Sequence, residues 1–147
     1  MKLFLVATSG GHLSEILELF GDLENMQKII FTEETVRLAT IPHKSYSYKR
    51  PRSQILTMII SGLKAGYIIL KERPDWVIST GAECGTAAII AAAFLFKKTI
   101  FVETASRYRT KTIAARICYP LVDKFYVQHE EALALYGKKA EYIGGVL

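Results

Sequence analysis

Apolar residues in this chain follow two alternating rhythms. Leu3 to Ala7 is an uninterrupted apolar run, the mark of a strand buried on both faces. Leu13, Ile16, Leu17 and Phe20 then fall at i, i+3, i+4 and i+7, the stripe of an amphipathic helix. Lys28 to Thr32 predicts a second strand, which ends at Glu33-Glu34. Residues 35–52 read as irregular, with Pro42 and Pro51 inside a basic, tyrosine-bearing stretch. Ile55 to Lys71 predicts a long helix, and Pro74 beyond it is a stop signal. Trp76 to Ser79 predicts a short strand, followed by a helix from about Cys84 to Phe96. Thr99 to Val102 and Lys124 to Val127 predict two more strands, with a helix over about 109–118 between them. Glu130 to Tyr136 is a short helix, and Tyr142-Ile143 closes the series.

This βαβ alternation predicts an α/β fold, a doubly wound parallel sheet of Rossmann-like type with helices on both faces. No repeat, low-complexity tract or linker interrupts it, and 147 residues suit one domain spanning 1–147.

Composition changes the picture only at its edges. Half of the residues (50%) are apolar, enough for a continuous core. The mean hydropathy of +0.20 is high for a soluble domain, and points to buried elements or to a surface that meets a membrane or partner. The formal charge of +5 suits phosphate-bearing ligands, an anionic membrane surface or nucleic acid, and alone selects none of them. Cys84 and Cys118 are the only cysteines, so a reduced, cytoplasmic setting fits better than a disulfide framework. The apolar run at the N-terminus is shorter than the roughly 7–15 residues of a secretory core. No uninterrupted run approaches the roughly 18 apolar residues of a spanning helix.

In such a sheet, ligands bind beyond the carboxyl ends of the strands. Three polar loops fall there: Thr8-Ser9-Gly10-Gly11-His12, Ser79-Thr80-Gly81-Ala82-Glu83 and Glu103-Thr104-Ala105-Ser106-Arg107. In the first, two glycines permit a sharp turn and close backbone approach, and the helix behind them offers free N–H groups to an anion such as a diphosphate. A plain tight turn would use the same glycines. His12 directly after them adds a group able to take a proton from a substrate hydroxyl or to donate to phosphate. Thr80 and Gly81 repeat the design, although the alanine-rich helix that follows reads first as a tightly packed core helix. Glu103 and Arg107 read either as a simple ion pair or as groups that orient a sugar hydroxyl and meet phosphate. The stretch Lys44 to Arg52 reads as a solvated loop, or as one that lies on an anionic bilayer or over a lipid diphosphate.

Other chemistries are set aside. The P-loop pattern is missing, and the first loop does not match G-x-G-x-x-G, which leaves a dinucleotide site only Glu33-Glu34 in its favour. His12, His43 and His129 have no metal-ligand spacing with each other or with the cysteines, so neither metal nor cofactor is expected. Cys84 lies near a helix start without the flanking pattern of a nucleophile elbow, and reads as a small buried residue.

Taken in order, Ser9-Gly10-Gly11-His12, Ser79-Thr80-Gly81, Val102 to Arg107 and Tyr119 to Gln128 resemble one family. It is the acceptor-side, membrane-recruiting subunit family of the split UDP-N-acetylglucosamine transferase of dolichol-diphosphate glycan assembly. Within it, the likeness is greatest to the bacterial capsule and exopolysaccharide branch. The resemblance implies the N-terminal half of a GT-B glycosyltransferase. It implies a polyprenyl-diphosphate-linked sugar as acceptor, a UDP-sugar as donor, and a partner chain that binds the nucleotide sugar. His12 would be the catalytic base; Ser9, Gly10, Gly11, Thr80, Gly81, Glu103 and Arg107 would hold the acceptor and its diphosphate.

Two departures stand out. Glu83 and Cys84 replace the small residues usual after the second loop, and a carboxylate there would repel diphosphate unless it turned away. The N-terminal membrane anchor of the eukaryotic subunits is not read in this sequence, so attachment at the inner face of the cell membrane is expected to be peripheral or through a partner. One Rossmann-like unit is expected to transfer no sugar without its partner. A non-catalytic scaffold that recruits the partner to the membrane is the second reading, and a small nucleotide-binding oxidoreductase the third. No nucleic acid is expected as a ligand; a homodimer through an exposed apolar face stays open.

Overall fold

The sheet is built outward from its first strand, Lys2–Val6 (β1), whose central residues are fully buried. In this computed structural model, which describes residues 1–145, β1 is joined by Gln27–Glu33 (β2), Lys44–Tyr48 (β3), Trp76–Ser79 (β4), Lys98–Val102 (β5), Lys124–Val127 (β6) and Ala140–Tyr142 (β7). All neighbours pair in parallel, in the order β3-β2-β1-β4-β5-β6-β7. The expected unit of 1–147 includes Val146 and Leu147, which lie outside the described residues.

The helices are Gly11–Phe20 (α1), Gln54–Glu72 (α2), Ala82–Phe94 (α3) and Ile113–Cys118 (α4), with 3-10 turns at Val36–Thr40 and Glu130–Leu135. Strand alternation sends Leu3 and Leu5 toward α1 on one face, packed with Leu13, Ile16 and Ile30. Phe4 and Val6 face the other way, toward α2, α3 and α4, with Phe31, Ile68, Ile89 and Phe101. Both layers expected of a doubly wound sheet are therefore present. The reversal of strand order lies between β1 and β4, and the two glycine loops follow those two strands.

Residues 35–52 depart from the expected irregular segment. Lys44–Tyr48 is an edge strand, held because Tyr48 is buried against Phe31 with ring centroids 5.5 Å apart. Its polar residues are also anchored. Lys44 lies 2.5 Å from Glu72, whose carboxylate also accepts from Tyr46 at 2.5 Å, and Lys64 donates to the Ser47 carbonyl. The helix expected from about 109 starts at Ile113, because the Thr112 side chain caps it by accepting from the Ala115 N–H at 3.0 Å.

α2 begins at Ser53, whose hydroxyl accepts from the Leu56 N–H, and ends where Arg73 turns left-handed before Pro74. It packs on α3 through small residues: a Cβ on Gly62 would lie 3.4 Å from Ala87 Cβ, and one on Gly66 4.0 Å from Ala91 Cβ. Its outer side stays bare. Ile55, Ile59, Leu63, Tyr67 and Leu70 are exposed, Leu63 by 73%. With 19 residues and a mean hydropathy of 1.3, α2 is long and apolar enough to cross a membrane, although Lys64 interrupts it and α3 covers one side.

Candidate functional site

The two glycine loops have the same backbone. Gly10 (φ +90°) and Gly81 (φ +106°) each precede a helix, and neither α1 nor α3 has a side-chain cap. A positive φ of this kind is natural only to glycine. The uncapped first turns leave N–H groups and partial positive charge at the carboxyl edge of the sheet.

Between the loops lies a cleft of about 530 Å³ lined by His12, Thr80, Gly81, Glu103, Ser106, Arg107, Lys111 and Thr112, among others. Five of the eight expected site residues (His12, Thr80, Gly81, Glu103 and Arg107) thus meet in one place. Gly11 lines an adjoining groove with His12, Ser14 and Glu15. Thr80 donates to the His12 carbonyl at 3.3 Å and joins the loops directly.

Ser9 points elsewhere. Its N–H and hydroxyl donate to Glu33 Oε1 at 3.2 and 2.5 Å. Glu33, the acid weighed for a ribose hydroxyl, is thereby committed to the loop. Burial works against its ionisation, but the bonds from Ser9 and Arg50 hold its carboxyl below the ordinary value. Arg50 spans Glu33 and Glu83, at 3.4 and 3.3 Å, so the Glu83 carboxylate is held by a cation. Gly10 is exposed and shapes the turn, and its carbonyl accepts from Ser14 N–H at 3.0 Å.

Glu103 forms no ion pair with Arg107. It is 2% exposed and accepts from the Thr112 hydroxyl (3.1 Å), the Tyr136 hydroxyl (2.6 Å) and the Thr104 N–H (3.1 Å). Burial, and then this carboxylate, push the Tyr136 phenol up. Glu103 therefore fixes the third loop from below, and at the rim the Arg107 guanidinium donates to the Thr110 hydroxyl at 3.4 Å. Cys84 is buried, and burial pushes its thiol up to about 12, which suits the small core residue expected.

Sequence reasoning missed three contributors. Lys111 and Ser106 line the cleft because the loop after β5 runs to Thr112, and the basic run 107–111 was the available sign. Glu15 is the third. It lies one turn after His12 and is 7% exposed, accepting from the Ala105 N–H at 2.6 Å and Gln128 Nε2 at 2.7 Å. Two cations, two helix starts and one imidazole form a site suited to a diphosphate next to a hydroxyl that must lose a proton.

The model of a family described as "Oligosaccharide biosynthesis protein Alg14 like" matches residues 31–146. The rat UDP-N-acetylglucosamine transferase subunit ALG14 is 28% identical, over 100% of this chain and 83% of its own length. The Schizosaccharomyces pombe subunit is 27% identical, over 92% of this chain and 79% of its own. Among solved structures, Acinetobacter baumannii MurG superposes with a TM-score of 0.82 at 12% identity, covering 100% of this chain and 47% of that one. The UDP-GlcNAc 2-epimerase of Methanocaldococcus jannaschii gives 0.80 at 16%, covering 99% and 46%. This chain spans about half the length of those structures, and its fold is that of the N-terminal Rossmann-like half of GT-B proteins.

Proposed function

The chain belongs to the Alg14-like family of oligosaccharide biosynthesis proteins, and from that premise we propose that it is the acceptor-binding subunit of a two-component glycosyltransferase. The acceptor is a sugar linked to a polyprenyl diphosphate. The donor is a UDP-sugar held by a nucleotide-sugar-binding partner chain. The observation that carries this reading is the convergence of His12, Thr80, Gly81, Arg107 and Lys111 around one cleft at the strand reversal.

The acceptor diphosphate sits against Arg107, Lys111 and the first turns of α1 and α3, where charge-assisted and backbone hydrogen bonds hold its oxygens. Gly11 leaves the backbone open for close approach, since among the described residues no atom beyond its own turn lies within 4 Å of the space a Cβ would take. His12 takes the proton of the acceptor hydroxyl as that oxygen attacks the anomeric carbon of the donor sugar. The bond from that carbon to the diphosphate breaks, and UDP leaves with the electron pair.

A lipid tail also has a route. The polar cleft shares Ala82, Ile113 and Ala114 with an apolar groove, which in turn shares Met58 with the groove between α2 and α3. A polyprenyl chain leaving the diphosphate would follow this line to the bare side of α2. There Ile55, Ile59 and Leu63 enter the membrane, while Lys49, Arg52 and Arg116 meet anionic headgroups. The protein works at the inner face of the cell membrane, and in a bacterial cell its product feeds capsule or exopolysaccharide. That last setting rests on the ordered loop motifs alone, because the relatives named above are eukaryotic.

The test is reconstitution from the purified chain, its partner chain, UDP-sugars and a polyprenyl-diphosphate sugar. Transfer should need both chains and drop by about 100-fold or more in His12→Ala. Full transfer without the partner would sink the two-component reading, and unchanged transfer in His12→Ala would remove the base.

A further inference from the structure

His12 has an unusual second edge. Its Nδ1 is buried and has no hydrogen-bond partner among the described residues, yet it faces Glu15 Oε2 at 4.0 Å, one turn along α1. The ring lines the cleft with its remaining exposed edge, which leaves Nε2 as the nitrogen available to a ligand.

Glu15 is itself held in one orientation. Its Oε1 accepts from the Ala105 N–H (2.6 Å), Gln128 Nε2 (2.7 Å) and the Thr104 hydroxyl (3.4 Å). Gln128 also donates to the Glu103 carbonyl at 3.1 Å, which ties this network to the floor of the cleft. The carboxylate therefore cannot turn, and Oε2 is presented to His12. Carboxylates are hydrogen-bond acceptors only.

We propose that Glu15 is a positioning residue that keeps the neutral His12 ring as the Nδ1–H tautomer, with the Nε2 lone pair aimed into the cleft. An acceptor-only oxygen at Nδ1 favours a proton there, so the free lone pair stands on the other nitrogen. At 4.0 Å the pair is longer than a hydrogen bond, so the proposal requires the ring to close on Oε2 in solution in the free chain, before any ligand binds. The catalytic half of this assignment rests on His12 serving as the base, and the tautomer stands independently of it.

Glu15→Gln tests it sharply. Three donors hold Oε1, so the amide oxygen must take that place and the NH2 group must take the place of Oε2. A donor then meets Nδ1, and the His12 proton moves to Nε2. The experiment is two-dimensional 15N side-chain NMR of the full chain, followed to alkaline pH until the ring signals stop changing, with His12 assigned by its loss in His12→Ala. The wild type should give the Nδ1–H pattern and Glu15→Gln the Nε2–H pattern. An Nε2–H wild type, a measurement that needs no variant, would overturn the proposal, as would the same tautomer in both proteins. In the reconstituted assay Glu15→Gln should lose about 100-fold in kcat with little change in acceptor KM. A tautomer switch with undiminished kcat would strike at the His12 base of the proposed function and leave the positioning role standing.

Discussion

The Tyr136 hydroxyl donates to Glu103 Oε2 at 2.6 Å, across 33 residues of chain. Through it the last 3-10 turn grips the loop that carries Arg107 and Lys111. A hydrogen bond to a buried carboxylate contributes about 1.5–3 kcal/mol. Tyr136→Phe should lower unfolding stability by that amount in urea titrations. It should also weaken acceptor binding, because residues 104–112 lose an anchor. Equal stability in the two proteins would show that Thr112 alone suffices.

The glycines of the cleft separate structure from function. Gly81→Ala places a side chain at φ +106° and 3.5 Å from Phe101 and Ala114, which should cost about 1–3 kcal/mol. Gly11→Ala meets open space at the first position of α1, so its melting temperature should hold or rise slightly. Acceptor affinity should nonetheless fall in Gly11→Ala, measured by titration with a soluble polyprenyl-diphosphate analogue. Unchanged affinity would mean that no ligand approaches the loop.

In the proposed function the bare side of α2 is the membrane contact. Each isoleucine or leucine that enters the acyl layer contributes about 1.5–3 kcal/mol. Ile59→Glu with Leu63→Glu should therefore cut co-sedimentation with anionic vesicles by more than tenfold at an unchanged melting temperature. Both side chains are exposed at 51% and 73%, so folding does not need them. Equal sedimentation would place the contact elsewhere.

Acid should loosen the edge of the sheet. The bond from Lys44, and then that from Tyr46, hold the Glu72 carboxyl down at about 2, from an ordinary 4.5. A carboxyl lowered on folding stabilises the protein above its unfolded value and loses that effect as pH falls toward the folded one. The urea midpoint of the wild type should therefore drop between pH 4.5 and 2 more steeply than that of Glu72→Gln. Parallel curves would show that Glu72 carries none of the acid sensitivity.

The alternating fold was legible because strands buried on both faces appear as apolar runs, as Leu3 to Val6 and Thr99 to Val102 do. Lys44–Tyr48 escaped because an edge strand buries little, and Tyr48 is its one buried residue. In the site, the glycines, His12 and the strand-end Glu103 stood out by position. Their partners did not. Glu33 reaches Ser9 across 24 residues, and Gln128 reaches Glu15 across 113. Glu15 lies off the apolar stripe of its helix, and its partners come from the third loop and from Gln128, just past β6.

Every strand pairing here is parallel, and β1 lies between β2 and β4. Among the described residues no hairpin gives this apolar strand an early neighbour. During synthesis, Leu3 to Val6 must keep one edge unpaired until Trp76–Ser79 has left the ribosome, because those residues form its second ladder. Folding speed is then set by long-range closure rather than by local turns. A nascent chain halted before that point would be a sticky one, and shielding of its first few residues is part of what this architecture asks of the cell.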